Sequence, residues 1–306
     1  MEIVVFGAGS LGSLVGGLLA RGHDVTFVAR EAHARAVRES GLRLEGAVDD
    51  GPSHVSPAAT TDGTGLEADL AVVTVKSFDT AAAADALATG SIEAVLSLQN
   101  GMGNEATLAT RLEAPILAGT ATYGAILQEP GVVECTGPGE IVLGPRDGGS
   151  SARAERVGEA FAAVGLETTV ADDMPRRLWK KLAVNTGINP ITALTATENG
   201  AVLEEPATDL AREATRETAR VARACDVSLS NREALAAMET VAQATAANTS
   251  SMAQDIAAQR RTEIDAINGY VVERAAENGL EVPTNRTLTA LIRTWEQGRG
   301  RRCCRK

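Results

Sequence analysis

The stretch Glu2-Ile-Val-Val-Phe6-Gly7-Ala8-Gly9-Ser10-Leu11-Gly12 decides the fold. Residues 3–6 are apolar and mostly β-branched, which predicts a buried strand. A G-x-G-x-x-G turn follows at once, and an apolar helical run over residues 11–20 follows the turn. Strand, glycine turn and helix in that order form the dinucleotide-binding fingerprint. Gly7 permits the tight turn, Gly9 lets backbone N–H groups reach a pyrophosphate, and Gly12 lets the helix pack closely on the sheet. Ser10 and Leu11 open the helix and complete the cofactor-binding positions.

Outward from this unit, short apolar runs at 24–28, 69–75 and 94–98 alternate with helical stretches. That alternation predicts parallel strands joined by crossover helices in a doubly wound sheet. From about Pro115 the texture changes to Gly-, Thr- and Pro-punctuated strands at 132–134 and 140–143, which predicts an antiparallel extension of the sheet. A helix from about Ser151 and a last strand near 167–170 close the domain. Residues 171–175 (Ala-Asp-Asp-Met-Pro) read as a hinge, because strand signals nearly vanish beyond them and long Ala/Glu/Arg-rich periodic segments take over. The expected fold class is therefore α/β: an N-terminal Rossmann dinucleotide-binding domain over 1–171, then an all-helical substrate domain over 172–306.

A chain of 306 residues with 44% hydrophobic and 23% charged residues has the size for two such domains. Forty acidic against 29 basic residues give a net charge of −11, which disfavours nucleic acid and anionic membranes as partners. The short basic tail Arg299, Arg301, Arg302, Arg305, Lys306 reads as a solvated end. No run approaches the roughly 18 apolar residues of a membrane span, and no basic leader precedes the first strand, so a cytoplasmic protein is expected. The cysteines, Cys135, Cys225, Cys303 and Cys304, form no C-x-x-C pair and have no His at ligand spacing, so free thiols and no metal site are expected.

The second strand run ends in Val28-Ala29-Arg30, where an NAD-preferring site would carry Asp or Glu. An Arg can pair with a 2′-phosphate, which favours NADP(H), with the adjacent Glu31 as the competing group. Only four of the 29 basic residues are lysines, and three of them sit in two places, Lys76 and Lys180-Lys181. Lysine gives up its proton at accessible pKa values, whereas arginine does not, and hydride transfer to a ketone leaves an alkoxide that needs a proton. Lys181, Asn185 and Asn189 follow at i, i+4 and i+8 and line one helix face, an acid beside two amides. Lys180 lies about 100° away and reads as a surface residue. Asn100-Gly101-Met102-Gly103 ends the fourth strand at the carboxyl edge of the sheet, as a ligand-binding or a plain Asn-Gly turn. Residues 248–269 read on periodicity as one long exposed amphipathic helix. Ser251 and Glu263 would lie about 120° apart on it, so spacing does not join them.

Five ordered segments, GAGSLG, VTVKS, NGMGNE, WKKLAVNTGINPITAL with its later Asn199-Gly200, and SSMAQDIAAQRRTEIDAING, are similar to those of the ketopantoate reductases, the 2-dehydropantoate 2-reductases of pantothenate and coenzyme A biosynthesis. The resemblance implies NADPH-dependent reduction of 2-dehydropantoate to pantoate in a cleft between the two domains. It implies Lys181 as the general acid and Glu263 as the carboxylate that holds substrate and supports that lysine. Asn185, Asn189, Asn199 and Ser251 fall on substrate positions, Asn100 and Lys76 at the junction of nicotinamide and substrate, and Arg30 at the 2′-phosphate. For Ser251 and Glu263 to share that site, the helix must bend or the cleft must be wide. Residues 42–65 and the tail after Gln297 lie outside the resemblance. A reductase of another small 2-keto acid would share every feature, whereas a non-catalytic NADP-binding regulator has no need of Lys181 and Glu263. A dehydrogenase of a phosphorylated sugar acid would need a second phosphate site, for which only Arg176-Arg177 and Arg260-Arg261 offer themselves. The helical domain carries enough apolar surface for a homodimer.

Overall fold

The computed structural model describes residues 1–47 and 53–303, with side chains through residue 298. The basic tail and the Cys303-Cys304 pair lie outside the described residues and side chains; Cys135 and Cys225 are free thiols. The chain forms two compact units, Met1–Gln99 with Asn104–Met174, and Asn100–Gly103 with Pro175–Lys306.

The first unit runs β1 (Glu2–Phe6), α1 (Ser10–Leu19), β2 (Asp24–Val28), α2 (Glu31–Ser40), β3 (Leu42–Gly46), β4 (Ser53–Val55), β5 (Ala58–Thr60), β6 (Glu67–Ala68), β7 (Leu70–Val73), α3 (Thr80–Leu87), β8 (Ser91–Ile92), β9 (Val95–Ser97) and α4 (Asn104–Ala109). It continues through β10 (Ile116–Ala121), β11 (Gly124–Glu129), β12 (Val132–Gly137), β13 (Ile141–Pro145), α5 (Ala152–Ala162) and β14 (Thr168–Val170). Eight strands form the main sheet in the order β14-β13-β10-β9-β7-β1-β2-β5. From β5 to β10 every neighbouring pair is parallel. Parallel strands covered on both faces are buried throughout, as β7 and β9 are, and β7 reads as an unbroken apolar run. Strand order reverses between β1 and β7, and a doubly wound sheet takes its ligands outside the carboxyl ends of such a pair.

The expected antiparallel extension holds only at β13, which pairs antiparallel with β10 while β14 returns to parallel. The other late strands leave the sheet: β11 and β12 join β3 and β4 in a second, four-stranded sheet. In β3, Leu42 and Leu44 are buried against α1 while Arg43 turns outward, the alternation of a sheet with one wet face. The long-range pairing of β3 with β12 builds this layer. Sheets on both sides of α1 explain why residues 12–19 are all buried and the helix reads as apolar all round. Buried His33 on α2 ties the layers together. Gly131 N donates to its Nδ1 (3.0 Å), so its Nε2 carries the proton and donates to Ser13 Oγ (3.0 Å).

The second unit contains α6 (Met174–Thr195), a 3₁₀ turn (Asn199–Leu203), α7 (Ala207–Ala224), α8 (Asn231–Ala244), α9 (Ser251–Ala257), a π turn (Asp265–Gly269), α10 (Tyr270–Glu277) and α11 (Pro283–Cys303). Its described residues hold no strand. Trp179, Leu182, Val221, Ile264 and Val271 sit in its main core. Glu217 on α7 is buried and takes the first amides of α11, Thr284 N (3.0 Å) and Asn285 N (2.9 Å), satisfying donors a helix start leaves open. The single helix expected over 248–269 is broken. Gln259 at φ 53° closes α9, and Arg260 bonds back to Asp255 through backbone and side chain. Thr262 is pinned to Glu296 of α11 through its N–H (2.7 Å) and hydroxyl (2.8 Å). Among the described residues no helix is long and apolar enough to cross a membrane.

Candidate active site

The Gly-rich turn leaves the carboxyl end of β1 and meets the loop that leaves β7, the two strands at the reversal point. Gly7 adopts φ +105°, and a Cβ there would lie 2.7 Å from Val75 N. At Gly12 a Cβ would lie 2.5 Å from both Gly7 O and Thr74 Oγ1, two atoms already bonded to each other (2.8 Å). These glycines are required by the fold itself. Gly9 is different: it is exposed, at φ −86°, and a Cβ would meet only Gly7 O at 3.9 Å. Among the described residues nothing but Gly7 O comes within 4 Å of a Cβ at Gly9, so a side chain there would occupy the place of a ligand lying against the helix N-terminus. The residues therefore fit a pyrophosphate-bearing cofactor.

Ser10 Oγ accepts from Leu127 N of β11 (3.1 Å), and Leu11 packs on the core beneath, so each could offer a cofactor its backbone amide. Arg30 is the exposed N-cap of α2, and its guanidinium has no hydrogen bond or ion pair among the described residues. The competing Glu31 is engaged by Arg38 at 3.3 Å. Lys76 is half-buried and caps the short 3₁₀ turn Ser77–Asp79 after β7.

In the second unit, α6 carries Lys181, Asn185 and Asn189. Lys181 and Asn185 are half-buried and the rest of residues 182–193 are buried, while Lys180 is exposed. Asn189 is only 7% exposed, yet neither its amide nor that of Asn185 has a hydrogen-bond partner among the described residues. Nor is either sealed off: the fully enclosed, unpartnered polar atoms among the described residues are Asn199 Oδ1, Asn268 Oδ1 and Arg274 Nε. Two unused amides at adjoining turns of a buried helix are costly unless something else pairs with them.

One contact brings a further position to this helix, and a second joins the Asn100 loop to the π turn. Ser250, the N-cap of α9, is buried and bonds Thr192 Oγ1 of α6 through its hydroxyl (2.8 Å), which ties the start of α9, where exposed Ser251 is the first residue, to α6. Met102 N donates to Ala266 O (2.9 Å), which holds the Asn100 loop on the π turn that begins two residues after Glu263, a carboxylate 5% exposed. Asn199 Nδ2 donates to Thr245 Oγ1 (3.0 Å) and its N–H to Asn248 O (2.9 Å), fixing the loop that leads into α9, while its buried Oδ1 has no partner among the described residues. Sequence reasoning missed Ser250, Thr192 and Asn268, whose hydroxyls and amide are ordinary in isolation. The one available signal was Pro190 inside a helical run. Among the described residues no cluster of three or more His, Cys, Asp or Glu side chains could hold a metal ion.

Two family models match in order, ketopantoate reductase PanE/ApbA over residues 3–148 and ketopantoate reductase PanE/ApbA C terminal over residues 173–296. A 2-dehydropantoate 2-reductase of Halobacterium salinarum is 46% identical over 300 residues, covering 96% of this chain and 98% of the relative. The chain belongs to the ketopantoate reductase family. A ketopantoate reductase structure from Ralstonia eutropha JMP134 superposes with a TM-score of 0.90 at 36% identity, covering 98% of this chain and all of that one. A D-mandelate dehydrogenase bound to NADH and anilino(oxo)acetate reaches a TM-score of 0.91 over 98% of this chain and 99% of its own. At 24% identity it speaks for the shared fold alone, an α/β first unit and a helical second one.

Proposed function

We propose that this ketopantoate reductase family member reduces 2-dehydropantoate to pantoate with NADPH, serving pantothenate and coenzyme A biosynthesis. The reading is carried by the α6 face, where two amides without partners among the described residues lie one and two turns beyond a half-buried lysine. Relatives that bear the name 2-dehydropantoate 2-reductase across the whole chain support the choice of substrate.

The amides of Asn185 and Asn189 and the hydroxyl of Ser251 hold the substrate's carboxylate and hydroxyl, and Asn100 and Lys76 flank the nicotinamide and the carbonyl. Gly7, Gly9, Ser10, Leu11 and Gly12 present backbone amides and open space to the pyrophosphate. Arg30 pairs with the 2′-phosphate; Glu31, the group that would favour a free ribose, is paired with Arg38 at 3.3 Å. When bound, the nicotinamide supplies a hydride to C2. Lys181 donates a proton from Nζ to the C2 oxygen, which completes the alcohol, and recovers it from water afterwards. Glu263 holds that ammonium and the substrate in place.

Asn189→Leu keeps the volume and removes the amide. It is expected to raise KM for 2-dehydropantoate by about tenfold or more, the loss of a hydrogen bond to a charged group, with the Kd for NADPH unchanged. An unchanged KM would remove the α6 face from substrate binding.

A further inference from the structure

Pro190 lies inside α6, and a proline has no N–H to give the carbonyl four residues back, which here is Thr186 O. That carbonyl sits between Asn185 and Asn189, in the turn on which the proposed substrate amides depend. A side chain replaces the missing donor: Asn268 Nδ2 donates to Thr186 O (3.2 Å) and also to Asn285 Oδ1 (2.9 Å). Asn285 is fixed in turn by Nδ2 donating to Glu217 (2.8 Å) and to Ala214 O (3.0 Å). Asn268 is fully buried, and its Oδ1 has no donor among the described residues, so the residue is placed there for its two N–H groups.

Asn268 belongs to the π turn that begins two residues after Glu263, whose carbonyl accepts from Ala266 N and Ile267 N (both 3.1 Å). The same turn accepts Met102 N at Ala266 O and so holds the Asn100 loop. One five-residue π turn thus fixes the backbone beside Glu263, the Asn100 loop and the interrupted turn of α6. Single-turn π segments inside helices recur at functional sites.

We infer that Asn268 is a positioning residue: by replacing the hydrogen bond that Pro190 removes from α6, it sets the spacing of Lys181, Asn185 and Asn189 against Glu263 and Asn100. This rests on the proposed function and deepens it. It also predicts a coupling that a merely stabilising asparagine would not show. An alanine at 190 brings back the backbone N–H that Thr186 O lacks, and this makes the side-chain donor at 268 partly redundant.

The test is a double-mutant cycle on the full chain, Asn268→Ala, Pro190→Ala and both together. kcat/KM for 2-dehydropantoate and the Kd for NADPH are measured below the unfolding midpoint of the least stable variant. The expected result is a fall in kcat/KM of about tenfold or more for Asn268→Ala, with NADPH affinity kept, and a fall of less than about threefold for the same change in the Pro190→Ala background. A folded Asn268→Ala within about twofold of the parent overturns the inference. So does a loss that is equally large in both backgrounds, since the carbonyl of Thr186 would then not be the point of action. An unmutated chain that turns over no 2-keto acid would remove the proposed function and this inference together, whereas an active parent with an active Asn268→Ala removes this inference alone.

Discussion

Replacing Gly9 with alanine, with Gly12→Ala as its counterpart, separates a glycine kept for a ligand from one kept for packing. The new Cβ at position 9 would lie 3.9 Å from its nearest protein atom, an ordinary contact, at a negative φ that alanine adopts without strain. The N-cap preference for glycine over alanine and the smaller entropy of the unfolded alanine chain oppose each other, each about 1 kcal/mol or less. The unfolding midpoint should therefore stay within about 2 °C of the parent. At position 12 the Cβ would lie 2.5 Å from two oxygens, one of them backbone, and relieving that costs about 1–3 kcal/mol and several degrees of midpoint. For cofactor the effect reverses in emphasis. A methyl over the helix start displaces a phosphate from one charge-assisted hydrogen bond, about 1.5–3 kcal/mol, or roughly 10- to 150-fold in Kd. Thermal unfolding with and without NADPH, with a fluorescence titration of each variant, reads both quantities. Gly9→Ala binding NADPH as the parent does, or losing as much stability as Gly12→Ala, would mean that Gly9 is not kept for a ligand.

Other consequences follow the same geometry. Lys181→Ala should lower kcat for keto-acid reduction by about 100- to 10,000-fold while leaving the Kd for NADPH within about twofold, checked by steady-state kinetics and titration. Arg30→Ala should cut the preference for NADPH over NADH by about tenfold or more, measured as the ratio of the two kcat/KM values, because a charged pair is lost from one cofactor only. Burial pushes His33 below the usual histidine value of 6.5, so the folded protein holds it neutral and the unfolded chain takes the proton first. The stability it contributes is full above 6.5 and is lost as pH falls through the depressed folded value, so urea midpoints should drop more between about pH 7.5 and about pH 5.5 in the parent than in His33→Gln.

The parts of the fold legible in the sequence are those where local pattern and tertiary context agree. β1, β2 and α1 announce themselves through an apolar run, a glycine turn and a second apolar run, because the nucleotide unit builds itself from neighbours in the chain. The second sheet was not legible, since β3 meets β12 across a long stretch of chain and neither strand alone says which partner it will take. The break between Ser251 and Glu263 was hidden for a related reason. Residues 251–269 have helical periodicity, but Thr262 is captured by Glu296 and Arg260 by Asp255, contacts that override the local preference. At the site, Lys181, Asn185 and Asn189 could be placed on one face by counting. What supports them could not, because Thr192, Ser250 and Asn268 act through tertiary bonds to residues 58 to 82 positions away.

The proposed activity is measured by following NADPH absorbance with purified protein and 2-dehydropantoate, beside pyruvate and 2-ketoisovalerate, and with NADH in place of NADPH. The expected result is rapid NADPH oxidation with 2-dehydropantoate, little with the two smaller keto acids, and a markedly lower rate with NADH. Tight NADPH binding without turnover of 2-dehydropantoate, or turnover of another keto acid in its place, would contradict it.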